Sequence, residues 1–515
     1  MTLNERISLP IWRRIILYLI SFILFCVQIF VIFVALNYGI NQSFNGPRWV
    51  YPVTIAIGFI FVLYIIHKPM NTAYKLTWSI LILAFPVVFT IIYILNSTSR
   101  RLSKRSRRKI NQLTKSIKLN DDINQLELFD PKAAALVKTI QSSTFAPVDY
   151  NVGTTFFDNG ASKFEDMFSK MKQAKKFIFI EFFIIGKGYL LNDLYEILKQ
   201  KGSEGVQIKI LYDDIGSARV LSRGIIKKIA QIPNCKIANY EPLGLNIKFV
   251  VNNRDHRKIV VIDGEVAYCG GDNLSDEYAN KKIRFGYWRD NCMKYEGRTV
   301  RTFSFLFAQM WYTSTKDEID LSTLWSNDYI GTNTNYVCAF GDGPLFDGTP
   351  AYDLFLSLFT VAEKEILIST PYFIIDDIMI DLLALKIKQG IKVKLLMPKI
   401  PDKKSAFYMG RSNYRKILLA GGEIYEFSPG FNHAKNIIID GKYAFIGTVN
   451  MDYRSMYLHY ECGALLINDN SILEMRKDYL KAIDKSENIT YEKWRKRPWY
   501  QKFVAFILNI FAPMF

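Results

Sequence analysis

Two of the four histidines in this 515-residue chain begin the same short pattern. Both copies have the spacing His-x-Lys, then four intervening residues and Asp; their members are His256, Lys258 and Asp263, and His433, Lys435 and Asp440. A given histidine begins such a pattern by chance only about once in 300 cases, so two copies among four histidines indicate a function. An imidazole beside an ammonium group suits attack on a phosphodiester, whose transition state carries negative charge.

Each motif leads into a predicted β-hairpin. We expect the histidine and lysine of each copy to lie on a strand, where residues two apart point to the same face. The apolar runs 259–262 and 436–439 then end in Asp-Gly, which is a strong signal for a tight hairpin turn. Each predicted return strand ends in a small-residue turn with an amide, Asn273 or Asn450, that can donate hydrogen bonds to phosphate oxygens.

The two motifs lie in two copies of one domain. Residues 174–185 are similar to 362–375, and residues 205–211 to 390–396, and the motifs follow in the same order. Short β-branched runs alternate with helical stretches in each copy, which predicts an α/β sandwich with mixed sheets. Two related copies favour a pseudo-twofold arrangement that places one motif from each copy at a shared seam.

The first hundred residues have a different composition. Residues 15–36, 50–66 and 76–95 are apolar runs that are candidates to cross a membrane, which takes about 20 residues. The stretch 97–109 holds seven lysines and arginines and no acidic residue. It is either a solvated linker or, as we prefer, a juxtamembrane segment bound to anionic lipid on the cytoplasmic side. Arginines before the first run also favour a cytoplasmic N-terminus. Three spans cannot place both ends of this region on the same side, so the number of spans, two or three, stays open.

The formal net charge of +18 favours an anionic partner, and composition alone does not choose between lipid and nucleic acid. The C-terminal end is rich in basic and aromatic residues, which is typical of an amphipathic tail on a membrane or of a helix packed on the protein core. We therefore predict five regions: 1–96, a membrane region with two or three hydrophobic helices; 97–149, a basic juxtamembrane linker; 150–325 and 326–490, the two copies; and 491–515, a basic-aromatic tail.

The paired motifs, glycine-rich turns and asparagines resemble the phospholipase D superfamily, over about residues 150–490. More narrowly, the chain is similar to bacterial cardiolipin synthases in the segments 71–78, 180–183, 341–344, 370–373 and 450–455. Two mild departures are Ile375, where proline is frequent, and Thr448, where serine is usual. The resemblance implies two phospholipase D-like α-β-α sandwich domains with pseudo-twofold symmetry, preceded by N-terminal transmembrane helices.

The resemblance also implies an activity: transfer of a phosphatidyl group between two phosphatidylglycerol molecules, through a phosphohistidine, at a bacterial cell membrane. His256 is our preferred nucleophile and His433 the acid and base. The phosphate oxygens are expected to be bound by Lys258, Lys435, Asn273 and Asn450. The motif also includes Asp263 and Asp440, whose turn positions suggest an architectural role. Asp290 follows His256 by 34 residues and Glu461 follows His433 by 28, and each is expected to orient an imidazole. Neither metal nor cofactor is implied.

Several alternatives share parts of this pattern. A hydrolytic phospholipase D or another phosphatidyltransferase, such as a phosphatidylserine synthase, would use the same residues with a different acceptor. A nuclease would fit the charge, but the apolar runs favour lipid, so we expect no nucleic-acid partner. A non-catalytic membrane scaffold is disfavoured because both motifs are complete. Anionic membrane lipids are the expected partners, and the sequence does not predict the oligomeric state.

Overall fold

The computed structural model describes residues 50–98, 121–240 and 253–514, except positions 321, 323, 325–328, 330 and 347. The apolar run 15–36 and nearly all of the basic stretch lie outside the described residues. The described residues fall into two compact units, one made of 50–98 and 510–514 and the other of the remainder.

The first unit contains three helices, α1 (Val50–His67), α2 (Thr72–Ala84) and α3 (Pro86–Thr98), and a short 3-10 helix, Ala512–Met514. The apolar run 76–95, a candidate span, is divided between two helices, because Phe85 leaves helical geometry between α2 and α3. The cause is Pro86, whose ring clashes with the preceding turn and which has no N–H to donate. Among the described helices, none combines the length and the apolar character that crossing a membrane requires.

The sequence analysis interpreted residues 97–149 as a basic linker. The described part of this segment, however, forms regular elements. It contains α4 (Ile123–Phe129), α5 (Pro131–Gln141) and β1 (Asp149–Tyr150). Asp130 caps α5 by accepting from two backbone N–H groups, and Pro131 occupies the first turn, where it is tolerated. The apolar face of α5 packs into the core of the second copy, so this segment belongs structurally to that copy.

The described residues of the first copy form thirteen elements. In chain order they are β2 (Gly153–Phe157), α6 (Gly160–Gln173), β3 (Phe177–Phe182), α7 (Tyr189–Ser203), β4 (Gln207–Asp213), α8 (Asp214–Ser217), α9 (Arg223–Ala230), β5 (Cys235–Tyr240), β6 (Lys258–Ile262), β7 (Val266–Gly270), β8 (Tyr287–Arg289), β9 (Cys292–Glu296) and α10 (Val300–Thr315).

The second copy repeats the order of the large-sheet strands and main helices, with additional short elements inside it and at its end. Its elements are β10 (Tyr336–Asp342), α11 (Pro350–Val361), β11 (Glu365–Ser369), β12 (Phe373–Ile374), α12 (Asp377–Lys388), β13 (Lys392–Pro398), α13 (Lys404–Ser412), α14 (Tyr414–Ala420), β14 (Glu423–Phe427), β15 (Gly430–Asn432), β16 (Asn436–Ile439), β17 (Tyr443–Gly447), β18 (Met451–Asp452), α15 (Tyr453–Tyr457), β19 (Glu461–Ile467), α16 (Asn470–Asp484) and β20 (Ser486–Asn488), and two helices follow, α17 (Tyr491–Arg495) and α18 (Trp499–Asn509).

The two large sheets have the same topology. The first has the order β2-β9-β7-β6-β3-β4-β5, and the second has β10-β19-β17-β16-β11-β13-β14 with β1 and β20 added at its edges. Parallel pairs such as β3 with β4 adjoin antiparallel pairs such as β3 with β6, and β11 pairs in the same way with β13 and β16. The predicted duplication and the mixed sheets are therefore confirmed.

Three hydrophobic clusters stabilise these sheets. One lies in each copy, and a central cluster takes residues from both, such as Phe179 and Ile259 from the first sheet and Ile438 and Ala464 from the second. Helices α10 and α16, which follow the equivalent strands β9 and β19, also contribute to the central cluster. The two sheets thus share one apolar core. This core holds the two copies together at the seam where the motifs lie.

Candidate active site

The two histidines lie just before their strands instead of on them, which corrects the prediction. Lys258 is the first residue of β6, and His433 follows the last residue of β15. The His256 N–H donates to the Tyr460 carbonyl at 2.9 Å, and the His433 N–H donates to the Arg289 carbonyl at 2.7 Å. Each histidine is therefore held by a backbone bond to the other copy, as a twofold relation between copies requires.

Both predicted carboxylates hold an imidazole, but the pairing is crossed between the copies. His256 Nδ1 lies 2.8 and 2.9 Å from the two carboxylate oxygens of Glu461. His433 Nδ1 lies 2.6 Å from Asp290 Oδ2. Both carboxylates are fully buried. With Nδ1 occupied in this way, Nε2 is the nitrogen that each ring has available for chemistry.

The two lysines are buried beside the histidines. Lys258 Nζ donates to the carbonyl of His256, and Lys435 Nζ donates to the carbonyl of His433. An ammonium group has three N–H donors, so each lysine can offer more to an anion than this single bond. Buried cations are costly without a counter-charge, so the site is prepared to bind a negative group.

Burial and the neighbouring ammonium groups keep both imidazoles neutral. Burial, followed by the ammonium groups of Lys258 and Lys435, lowers the pKa of His256 well below its usual value. Burial and Lys435 lower the pKa of His433 to about 4, although Asp290 opposes that shift. Burial also lowers the pKa of Lys435 to about 7. A bound phosphodiester anion would raise all three pKa values, because it stabilises the charged form of each group.

The two asparagines of the turns are not equivalent. Asn273 Oδ1 accepts from the Ile184 N–H at 3.0 Å, and its Nδ2 donates to the Tyr278 hydroxyl at 2.7 Å. Asn450 Oδ1 is buried and has no hydrogen-bond partner among the described residues. Both amides are buried in the turns that follow β7 and β17. Their contact with phosphate stays a prediction.

The two aspartates of the motifs lie at the other end of their strands, away from the imidazoles. Asp263 and Asp440 occupy the hairpin turns with positive φ angles of 54° and 55°. Asp263 accepts from the backbone N–H groups of residues 175–177, and Asp440 accepts from those of residues 363–365. These bonds fasten each hairpin to the start of β3 or β11, so the aspartates are architectural.

Aromatic rings surround the imidazoles, and sequence reasoning did not find them. The centroid of the Phe183 ring lies 5.0 Å from that of His256. His433 has three such neighbours at 5.4 to 5.6 Å, namely Tyr278, Trp288 and Phe431. These rings place apolar surface beside both imidazoles.

His459, to which the sequence assigned no role, lies beside His256 with 5.6 Å between ring centroids. The available signal was its position two residues before Glu461, which places both side chains on one face of an extended segment. Donor atoms of His256, His459 and Glu461 lie within 4.8 Å of one another and could hold a metal ion. Glu461 already accepts from His256 and from Thr448 at 2.5 Å, so metal binding would compete with the orienting bonds.

Known proteins are similar to most of this chain. A family model described as cardiolipin synthase, PLD-like domain, matches residues 167–311 and 355–483. An uncharacterized protein of Streptococcus mutans is 35% identical, covering 88% of this chain and 99% of its own length. A cardiolipin synthase of Alkalihalophilus pseudofirmus is 31% identical, covering 92% of this chain and 95% of its own.

The structure of a phosphatidylserine synthase from Haemophilus influenzae supports the fold. It superposes with a TM-score of 0.55 and 16% sequence identity, and the match covers 74% of this chain and 97% of that one.

Proposed function

Because this chain belongs to the cardiolipin synthase family of phospholipase D-like proteins, we propose that it makes cardiolipin and glycerol from two phosphatidylglycerol molecules. The observation that carries this proposal is the crossed pair of imidazoles. Each is held at Nδ1 by a buried carboxylate of the other copy, and each has a buried lysine two residues away. No cofactor is needed, since these side chains supply a nucleophile, an acid and the positive charge.

In the first step, His256 Nε2 attacks the phosphorus of one phosphatidylglycerol. A nitrogen–phosphorus bond forms, and the bond from phosphorus to the glycerol headgroup breaks. His433, protonated once the anionic substrate has raised its pKa, donates its proton to the departing glycerol oxygen. Lys258 and Lys435 stabilise the charge that develops on the other phosphate oxygens.

In the second step, His433 is the base. It takes the proton of a terminal hydroxyl on a second phosphatidylglycerol, and that oxygen attacks the phosphorus of the phosphatidyl-histidine. The nitrogen–phosphorus bond breaks, and cardiolipin leaves with His256 neutral again. Protons and phosphodiester bonds balance over the two steps.

The environments of the two rings support this assignment of roles. Burial and the ammonium groups of both motifs lower the pKa of His256 well below its usual value, so it stays neutral as a nucleophile must. Asp290 raises the pKa of His433 against burial, so this ring takes up a proton more readily. A general acid needs that property.

We further propose that the chain acts at a bacterial cell membrane with its catalytic region on the cytoplasmic side. The apolar runs of the first hundred residues and the basic stretch 97–109 support attachment to anionic lipid. Both lipid substrates reside in such a membrane, so attachment would raise their local concentration at the site.

Incubation of the purified chain with labelled phosphatidylglycerol tests the proposal. Equal amounts of cardiolipin and glycerol are the expected products. Phosphatidic acid would instead identify a hydrolytic phospholipase D, and phosphatidylserine formed on addition of serine would identify a different transferase. A well-folded chain without turnover in any of these reactions would indicate the scaffold.

A further inference from the structure

The C-terminal helix α18 exposes its bulky side chains and buries its small ones. Trp499, Tyr500, Phe503 and Phe506 are 76%, 48%, 57% and 68% exposed, and Ala505 is 3% exposed. With 3.6 residues per turn, the four aromatic residues fall within roughly 120° of the helix circumference, opposite the buried side. A helix that only covered a core would turn its aromatic residues inward, so this outward face requires a partner.

The helix is held firmly on the second copy, so its exposed face has a defined direction. Helix α18 packs along α13, and Asn509 Nδ2 donates to Ser412 Oγ at 3.0 Å. In the preceding helix α17, the indole of Trp494 donates to the carbonyl of Arg411 at 2.6 Å. Arg411 in turn makes two charged hydrogen bonds to the buried carboxylate of Glu426 on β14.

The charges around the aromatic face select an anionic bilayer as the partner. Arg495, Lys496 and Lys502 are exposed beside this face. Tryptophan and tyrosine favour the boundary between lipid headgroups and acyl chains, and nearby cations are attracted to anionic headgroups. A second copy of the chain fits less well, because a symmetric contact would bring the same three cations together.

The helix that supports α18 also reaches the active site. Asp402, just before α13, accepts from the Tyr372 hydroxyl at 2.6 Å, and Asn413, just after it, donates to the Phe373 carbonyl at 3.0 Å. Phe373 begins β12, which pairs with β18 directly after Asn450. Helix α13 therefore connects α18 to the turn that carries one of the predicted phosphate ligands.

We propose that the aromatic face of α18 docks into an anionic bilayer and that α13 holds the Asn450 edge of the site at that surface. This inference rests on the proposed function, since it assigns lipid substrates to the site. Docking in this way would let a phosphatidylglycerol headgroup enter from the membrane without leaving the lipid surface.

Photocross-linking of the full chain tests the docking directly. A benzophenone amino acid replaces Phe503, and the matched control places it at Leu473, which is 60% exposed on α16 of the same copy. The chain is reconstituted into vesicles of phosphatidylglycerol and phosphatidylcholine that carry labelled lipid. We expect several-fold more labelled lipid on the residue-503 variant than on the residue-473 control. Equal labelling, or cross-links from residue 503 to a second chain, would overturn the inference.

The charge requirement has its own test. The triple variant Arg495→Glu, Lys496→Glu, Lys502→Glu should lower lipid cross-linking at position 503 by about tenfold or more in phosphatidylglycerol vesicles, because each basic residue contributes to attraction. Unchanged cross-linking would contradict the assigned anionic partner. Cross-linking at residue 503 with no cardiolipin formed would support the docking surface and count against the proposed function, so the two ideas can fail separately.

Discussion

The two copies of the motif share a frame but differ in what surrounds the imidazoles. In both, an aspartate fastens the hairpin, the lysine donates to the histidine carbonyl, and a carboxylate from the other copy holds Nδ1. This duplicated frame fixes the position of the two rings. The surroundings of the rings determine their protonation and have diverged, which is what two different chemical roles require.

The turns after β7 and β17 show this divergence at equivalent positions. Thr448 donates its hydroxyl to Glu461 at 2.5 Å and so helps to hold the carboxylate that orients His256. The equivalent residue of the first copy is Gly271, where an added Cβ would lie only 2.2 Å from Asp290 Oδ1. Glu461 thus accepts an additional hydrogen bond from a hydroxyl group, whereas Asp290 requires a residue without a side chain at position 271.

Loss of either imidazole should have the largest effect. We expect His256→Gln and His433→Gln each to lower cardiolipin formation by about 10⁴-fold or more, since nucleophile and acid act as one unit. A donor with a p-nitrophenol leaving group needs no acid and separates the roles. It should give a burst of nitrophenolate with His433→Gln and none with His256→Gln, measured by stopped-flow absorbance. The reverse pattern would exchange the roles.

Loss of an orienting carboxylate should have the next largest effect. Glu461→Gln and Asp290→Asn should lower the rate by roughly a thousandfold, because the imidazole loses its fixed tautomer. The crossed pairing is tested by double-mutant cycles on the free energy of unfolding. Glu461→Gln should couple with His256→Gln by more than about 0.5 kcal/mol and be additive with His433→Gln. Coupling to His433 instead would contradict the crossing.

The pH dependence of stability should report the burial of His433. Its folded pKa of about 4 lies below the ordinary value of 6.5, so the unfolded chain binds the proton first as the pH falls. The wild type should therefore lose roughly 3 kcal/mol from this group between pH 7 and pH 4, and His433→Gln should not. Denaturant unfolding of both proteins across this range measures the difference, and parallel curves would refute it.

The hairpin aspartates should affect stability and leave chemistry nearly unchanged. Asp263→Asn removes a charge that accepts from three backbone N–H groups and should lower the free energy of unfolding by about 1–2 kcal/mol. Asp440→Asn should cost less, since Asp440 is less buried than Asp263. The turnover number of the folded fraction should change by less than about twofold. A large fall in turnover at full stability would give these residues a catalytic role.

Two further substitutions distinguish the two turns. Thr448→Ala should lower turnover by about tenfold through the loss of one hydrogen bond, and Thr448→Ser should restore it. Gly271→Ala should lower turnover more than Thr448→Ala, because its Cβ would displace Asp290. Equal effects of the two alanine variants would show that the turns are equivalent after all.

The sequence predicted the motifs and the hairpins of the site well, because these features are local. Spacing alone identified the six motif residues and the hairpins, and repetition predicted the matching sheets. The crossed pairing could not be predicted, since Glu461 lies 205 residues from His256 and no local pattern connects them. Pro86 indicates a break in a helix, and Asp130 followed by Pro131 indicates a helix start. The interpretation of these two regions was based on their apolar and basic composition and did not use these signals.

The most direct test of the account is to locate the covalent intermediate. His433→Gln is mixed with the p-nitrophenyl ester of phosphatidic acid, quenched, digested and analysed by mass spectrometry under conditions that preserve phosphohistidine. We expect one phosphatidyl group per chain, attached to His256. A phosphatidyl group on any other residue, or release of nitrophenolate with no adduct formed, would contradict it.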